Sequence, residues 1–186
     1  MKHSLLFVAS LAALSVAGCK KEDAAAPDAA VATASSEQGA ATTAAVTNPD
    51  QEFANAAAAS DAFEIQSSQL AAEKATSSKV KKFAAQMIKA HTDSTAKLKS
   101  AAAAATPPIT PEPQLTAIQQ QTLDTLRTKS GAEFDKAYIQ AQADAHQMTL
   151  EKLRAYSAGG AVPSLKTFAT ELVPIVTGHL NMAKGL

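Results

Sequence analysis

Cysteine is almost missing from this chain: Cys19 is the only one in 186 residues. A single thiol excludes an intramolecular disulfide, so stability in an oxidising compartment must come from a packed core. Aromatics are also scarce, with six Phe, two Tyr and no Trp. The core must then be built around Phe53, Phe63, Phe83, Phe134, Phe168 and Tyr138, with abundant alanine allowing helices to approach closely. Neither sign of charge is in excess, since 17 Lys and Arg face 17 Asp and Glu. With no basic stripe and no arginine cluster interleaved with aromatics, the chain is not expected to bind nucleic acid or dock electrostatically on anionic lipid. Strand-like alternation is missing as well, as are a glycine-rich phosphate loop and a serine in a strand-turn-helix elbow.

What is present begins with Lys2 and His3, followed by an apolar run from Leu5 to Val16 and then Ala17, Gly18 and Cys19. The run is about a dozen residues, too short for a bilayer core of ~30 Å, which needs about 20. It reads as a secretory signal over residues 1–18. Val16-Ala17-Gly18-Cys19 resembles the bacterial lipoprotein signal, in which cleavage before the cysteine leaves an acylated N-terminus. Cys19 is therefore the expected lipidation site, and its acyl chains a stable membrane anchor. Lys20 follows it rather than an aspartate of the kind that retains lipoproteins at the inner membrane, so the outer membrane, facing the periplasm, is the expected location. Cleavage removes one basic residue, Lys2, and no acidic one, so the mature chain stays nearly neutral. Residues 19–47 are mostly Ala, Thr, Ser, Pro and Gly, with Val31 and Val46 as the larger aliphatics. Such a segment cannot bury enough to order itself. It reads as a flexible tether reaching about 30 Å.

Residues 48–186 are the size of one domain and carry repeated helix punctuation. Asn48-Pro49-Asp50-Gln51 has the form of an N-cap, a first-turn proline and a capping-box glutamine. The first helix is expected to run to about Ala75, and a second from the Thr76-Ser77-Ser78 break to about Ala105. Pro107, Pro108, Pro111 and Pro113 forbid continuation. A short third helix is expected from about Gln114 to Thr128, with Leu115, Ile118, Thr122 and Leu126 on one side. Ser130-Gly131-Ala132-Glu133 reads as a capping box opening a helix that ends at Gly159-Gly160, and a last helix runs from Pro163 towards Lys184. The expected fold is all-α: a ferritin-like up-down four-helix bundle with one short extra helix and antiparallel neighbours.

Three histidines lie beyond the signal, on three different helices. At ~100° per residue, His91 shares a face with Val80, Phe83, Met87 and Leu98. His146 falls in the arc of Phe134, Tyr138, Ala145 and Leu153, and His179 in that of Leu165, Phe168, Leu172 and Val176. At ~1.5 Å per residue all three lie about 20–25 Å from the starts of their helices, and Glu64 lies at about 20 Å in the first helix. One carboxylate and three imidazoles could therefore meet at one level. The plainer reading is that each histidine is satisfied separately by a serine, threonine or carboxylate across the core. Residues three before the histidines are Ile88, Ala143 and Val176, so the Glu-x-x-His pairs of a di-iron site are missing. Asp135, in the first turns of its helix, is expected to complement the helix dipole and bond locally.

Several of these pieces together resemble a known family: Glu64 in DAFEIQSSQLAAEKA, Val80-Lys81-Lys82-Phe83-Ala84 through Met87 and His91, Gly131-Ala132-Glu133-Phe134-Asp135-Lys136-Ala137-Tyr138 through His146, and Leu172-Val173-Pro174 through His179-Leu180. Residues 50–184 resemble the bacterial ferritin-like envelope family catalogued as domain of unknown function four-one-four-two. The resemblance implies the fold and no activity. That family often has an acidic pair just before the first histidine, where this chain has Lys89-Ala90. The leading expectation is a lipid-anchored, non-catalytic bundle that binds an envelope protein partner or supports the envelope. The alternative is a mononuclear metal-binding protein holding one transition-metal ion with Glu64, His91, His146 and His179.

Overall fold

The computed structural model describes residues 48–186, and the signal over 1–18, the lipidation site Cys19 and the tether of 19–47 lie outside them. The described residues form five helices and no strand: α1 Pro49–Lys74, α2 Ser78–Ala103, α3 Ala117–Thr128, α4 Gly131–Gly159 and α5 Pro163–Lys184. No described helix is long and apolar enough to cross a membrane.

The caps explain the boundaries and correct three expectations. Asn48 accepts from the Asp50 N–H, with Pro49 opening α1. Gln51 does not close a capping box. Its amide donates to Asn55 Oδ1 at 2.8 Å and to the Thr110 carbonyl at 2.7 Å, because the chain leaving α2 passes over the start of α1. Ser130 likewise makes no side-chain cap bond. Gly131 takes φ 59°, a left-handed conformation that glycine adopts at little cost, and α4 starts from that turn. The reciprocal capping box is at Thr116 and Gln119 instead, which starts α3 about three residues later than expected. The inward side of α3 shifts accordingly. Leu123 and Leu126 are buried, while Ile118 is 68 % exposed.

Contacts between helices give the topology. Ser68 meets Tyr138 at 2.8 Å and Asp50 accepts from Tyr156 at 2.5 Å, so α1 and α4 are antiparallel neighbours. Ser164 donates to the Ala101 carbonyl at 2.6 Å, which sets α5 antiparallel to α2. Two tight hairpins, α1–α2 and α4–α5, thus pack side by side, and α4 runs in the same direction as α2. The connection between them must return along the whole bundle. It does so beside α1, where Gln119 donates to the Ala59 carbonyl and Lys74 to the Arg127 carbonyl. One long crossover of this kind is a feature of ferritin-like bundles. α3, part of that crossover, covers the seam between α1 and α4.

The core falls into two large apolar regions and a small third group of Phe63, Leu123 and Ala145. At one end Phe53 stacks on Tyr156 with centroids 3.8 Å apart and meets Phe168 edge-on, among Leu98, Leu153, Leu165 and Leu172. At the other, Phe83, Phe134 and Tyr138 pack with Val80, Met87 and Leu126. Ala54, Ala71, Ala84, Ala102, Ala169 and Ala183 are fully buried, small side chains that permit close helix approach. Asp135 acts across the bundle rather than locally. Its carboxylate accepts from the Thr76 N–H (3.0 Å), the Thr76 hydroxyl (2.6 Å) and the Ser77 N–H (2.9 Å), so α4 ties down the start of α2.

Candidate metal centre

Between the two apolar regions lies a polar layer. Each of its side chains is set by helical register: His91 sits one turn beyond Met87 on α2, His146 one turn before Leu150 on α4, and His179 between Val176 and Ala183 on α5. The three rings form a near-equilateral triangle, with centroid separations of 5.5, 5.6 and 5.4 Å. His91, His146 and His179 are 3, 1 and 9 % exposed. One ring nitrogen from each lies within 4.8 Å of the others. Donors of a tetrahedral ion at ~2.0–2.1 Å stand about 3.4 Å apart, so ring rotations of about an ångström would close the set.

What holds the rings decides which nitrogen is free. His91 Nδ1 lies 2.8 Å from Asp61 Oδ1, and Thr95 donates to the other oxygen of that carboxylate at 3.2 Å. His146 Nδ1 lies 2.7 Å from the Gln142 backbone carbonyl. A carbonyl only accepts, so this nitrogen carries the proton and Nε2 presents a bare lone pair. His91 Nε2, His146 Nε2 and His179 Nδ1 are buried and have no hydrogen-bond partner among protein groups. A histidine that serves only the core would be expected to satisfy both ring nitrogens, since each orphaned group costs about 1–3 kcal/mol. One nitrogen anchored to a carboxylate or backbone carbonyl and the other left bare is the arrangement of metal-ligating histidines.

Glu64 is 1 % exposed and joins the layer from α1, but not at the triangle's centre. Its Oε1 lies 3.6 Å from His146 Nδ1, the anchored nitrogen, and neither of its oxygens has a hydrogen-bond donor. Of the four side chains expected to meet, the three imidazoles form the close group and the carboxylate stands beside it. Asp61, three residues before Glu64, was not singled out by the sequence, nor was Gln142, whose amide donates to Ser67 Oγ at 3.0 Å. The signal for Asp61 was its place one turn from Glu64 on the inner face of α1. Gln142 sits one turn before His146 in the same way.

The charges follow from burial. Burial pushes Glu64 up to about 7, partly offset by the attraction of His91. It pushes His146 down to about 3 and His179 down to about 4, each further lowered by the charge of His91. For His91 burial also disfavours the charged form, but the bond to Asp61 and the field of Glu64 prevail and its pKa lies above the usual histidine value. At neutral pH two imidazoles are therefore ready-made neutral donors. His91, whose bond to Asp61 favours its charged form, holds its proton more tightly than a free histidine, and an ion would compete with that proton. Three imidazole nitrogens without thiolate suit zinc, copper, iron or nickel.

A family model described as Domain of unknown function (DUF4142) matches residues 35–186, a span that takes in all five helices. No curated protein and no solved structure matches the chain.

Proposed function

This chain belongs to the family described as Domain of unknown function (DUF4142), and from that premise we propose that it is a lipid-anchored envelope protein that binds a single transition-metal ion through His91, His146 and His179. The observation that carries the reading is that each imidazole has a buried, unpartnered nitrogen and that one ring nitrogen from each lies within 4.8 Å of the others. Asp61 and the Gln142 carbonyl fix the rings of His91 and His146, and Glu64 supplies a nearby negative charge for the cation.

Binding rather than catalysis is proposed because the layer is closed, with no member more than 9 % exposed. That leaves no room for a substrate beyond an ion and small ligands such as water. The anchor rests on the Val16-Ala17-Gly18-Cys19 pattern and places the ion site at a membrane facing the periplasm.

Metal analysis of the full mature chain, purified without an affinity tag, tests the proposal together with melting of chelator-treated protein. At a hundredfold over its dissociation constant, zinc, copper, iron or nickel should stabilise the fold by ~2.7 kcal/mol. His146→Ala should abolish that gain. Identical melting of the wild type with and without every metal would leave the bundle as a binding or structural module for an envelope partner.

A further inference from the structure

We infer that the ion reaches the three histidines through the seam between α2 and α5, with Ala90 and Lys97 controlling the passage. The inference rests on the metal-binding reading of the same site. A sealed site needs a path, and the two seams between the hairpins are not alike. The seam of α1 and α4 carries α3 along it, with Gln119 bonded to Ala59 and Leu123 and Leu126 buried beneath. No described helix covers the seam of α2 and α5.

That open seam holds a cleft of about 190 Å³ lined by Ala90, Asp93, Ser94, Lys97, Leu172 and Ile175. Ala90 immediately precedes His91, Ser94 lies about one turn after it, and Ile175 lies one turn before His179. His179, the most exposed of the three imidazoles at 9 %, is the ring this route would meet from α5. A second cleft continues the groove along Lys97, Ser100, Ser164 and Glu171. At the mouth, Asp93 is neutralised by Lys89 at 2.6 Å. That leaves the Lys97 ammonium facing an incoming cation.

Stopped-flow absorption with cobalt(II) and the chelator-treated full chain separates route from site. Ala90→Leu narrows the cleft and should slow association and dissociation by the same factor, leaving the equilibrium affinity unchanged. Lys97→Glu, an exposed reversal, should speed association several-fold, an effect that salt removes. Lys136→Glu, on the outer side of α4, should change neither rate. If cobalt binds and both seam variants match the wild-type rates, the route is wrong and the site stands. If Ala90→Leu does not fold, the rate with Lys97→Glu decides alone. If cobalt does not bind the wild type at all, site and route fall together.

Discussion

Glu64→Gln offers a test of the polar layer that needs no metal. The carboxylate is buried with no donor on either oxygen, and its pKa rises from 4.5 to about 7. A folded pKa above the unfolded one means that the native state holds the proton more tightly. Stability from this group is therefore complete below pH 4.5 and is lost as pH climbs through about 7. At ~1.36 kcal/mol per unit, the loss by pH 8 is on the order of 3 kcal/mol. Glutamine keeps the shape and cannot ionise. Urea unfolding of chelator-treated wild type and variant, from pH 4.5 to pH 8, should thus show similar stability at the acid end and an advantage for the variant that grows towards on the order of 3 kcal/mol. His146 and His179, held below the usual histidine value, make both proteins less stable in acid. His91, held above it, acts in the opposite sense. These terms cancel to first order in the difference, although His91 loses a negative neighbour in the variant. With saturating zinc the order should reverse, since the cation favours a charged carboxylate beside it. A variant advantage that does not change with pH, or a variant less stable than wild type at pH 8 without metal, would refute the account of Glu64.

Asp135→Ala removes three hydrogen bonds to the Thr76 and Ser77 groups that start α2, and should cost about 1–2 kcal/mol in chemical denaturation, as lost caps do. Those bonds, with Lys81 nearby, outweigh burial and hold the Asp135 pKa below the ordinary carboxylate range. Its share of stability is therefore present above that range and disappears as pH falls through the lowered value, so wild type and variant should converge in strong acid. Cys19→Ser should leave the melting transition in place while releasing the protein from membranes on fractionation. Equal membrane retention would dismiss the acyl anchor.

Much of the helical framework was legible because its signals are local. Asn48-Pro49, the Thr76-Ser77-Ser78 break, the proline cluster after Thr106 and Gly159-Gly160 are punctuation that acts within a few residues, and the apolar repeats of α2 and α5 point to the faces that are buried. The three histidines could be placed at one depth by counting residues along helices. What sequence did not reveal is what depends on how the helices meet. Asp61 is an ordinary acid in an alanine-rich helix until the register of α1 against α2 brings it to His91. Gln142 becomes a ring anchor through a backbone carbonyl, which no side-chain pattern reports. The inward side of α3 was misplaced because a 12-residue helix whose start is uncertain by three residues gives too few turns to fix a face.

The crossover divides the polar layer unevenly. Asp61, Glu64 and His91 belong to the first hairpin, and Gln142, His146 and His179 to the second, so neither hairpin alone owns a full set of imidazoles. An ion bound at the layer would thus be a clasp between two halves that already share the stack of Phe53 on Tyr156 and the bond of Ser68 to Tyr138. Contacts within each hairpin are near in sequence, whereas the coordination sphere needs both hairpins docked. On the metal reading, a chain cut by a protease in the exposed stretch Glu112 to Gln114 would still be held in one piece by the shared core, with the ion adding a second fastening at mid-height.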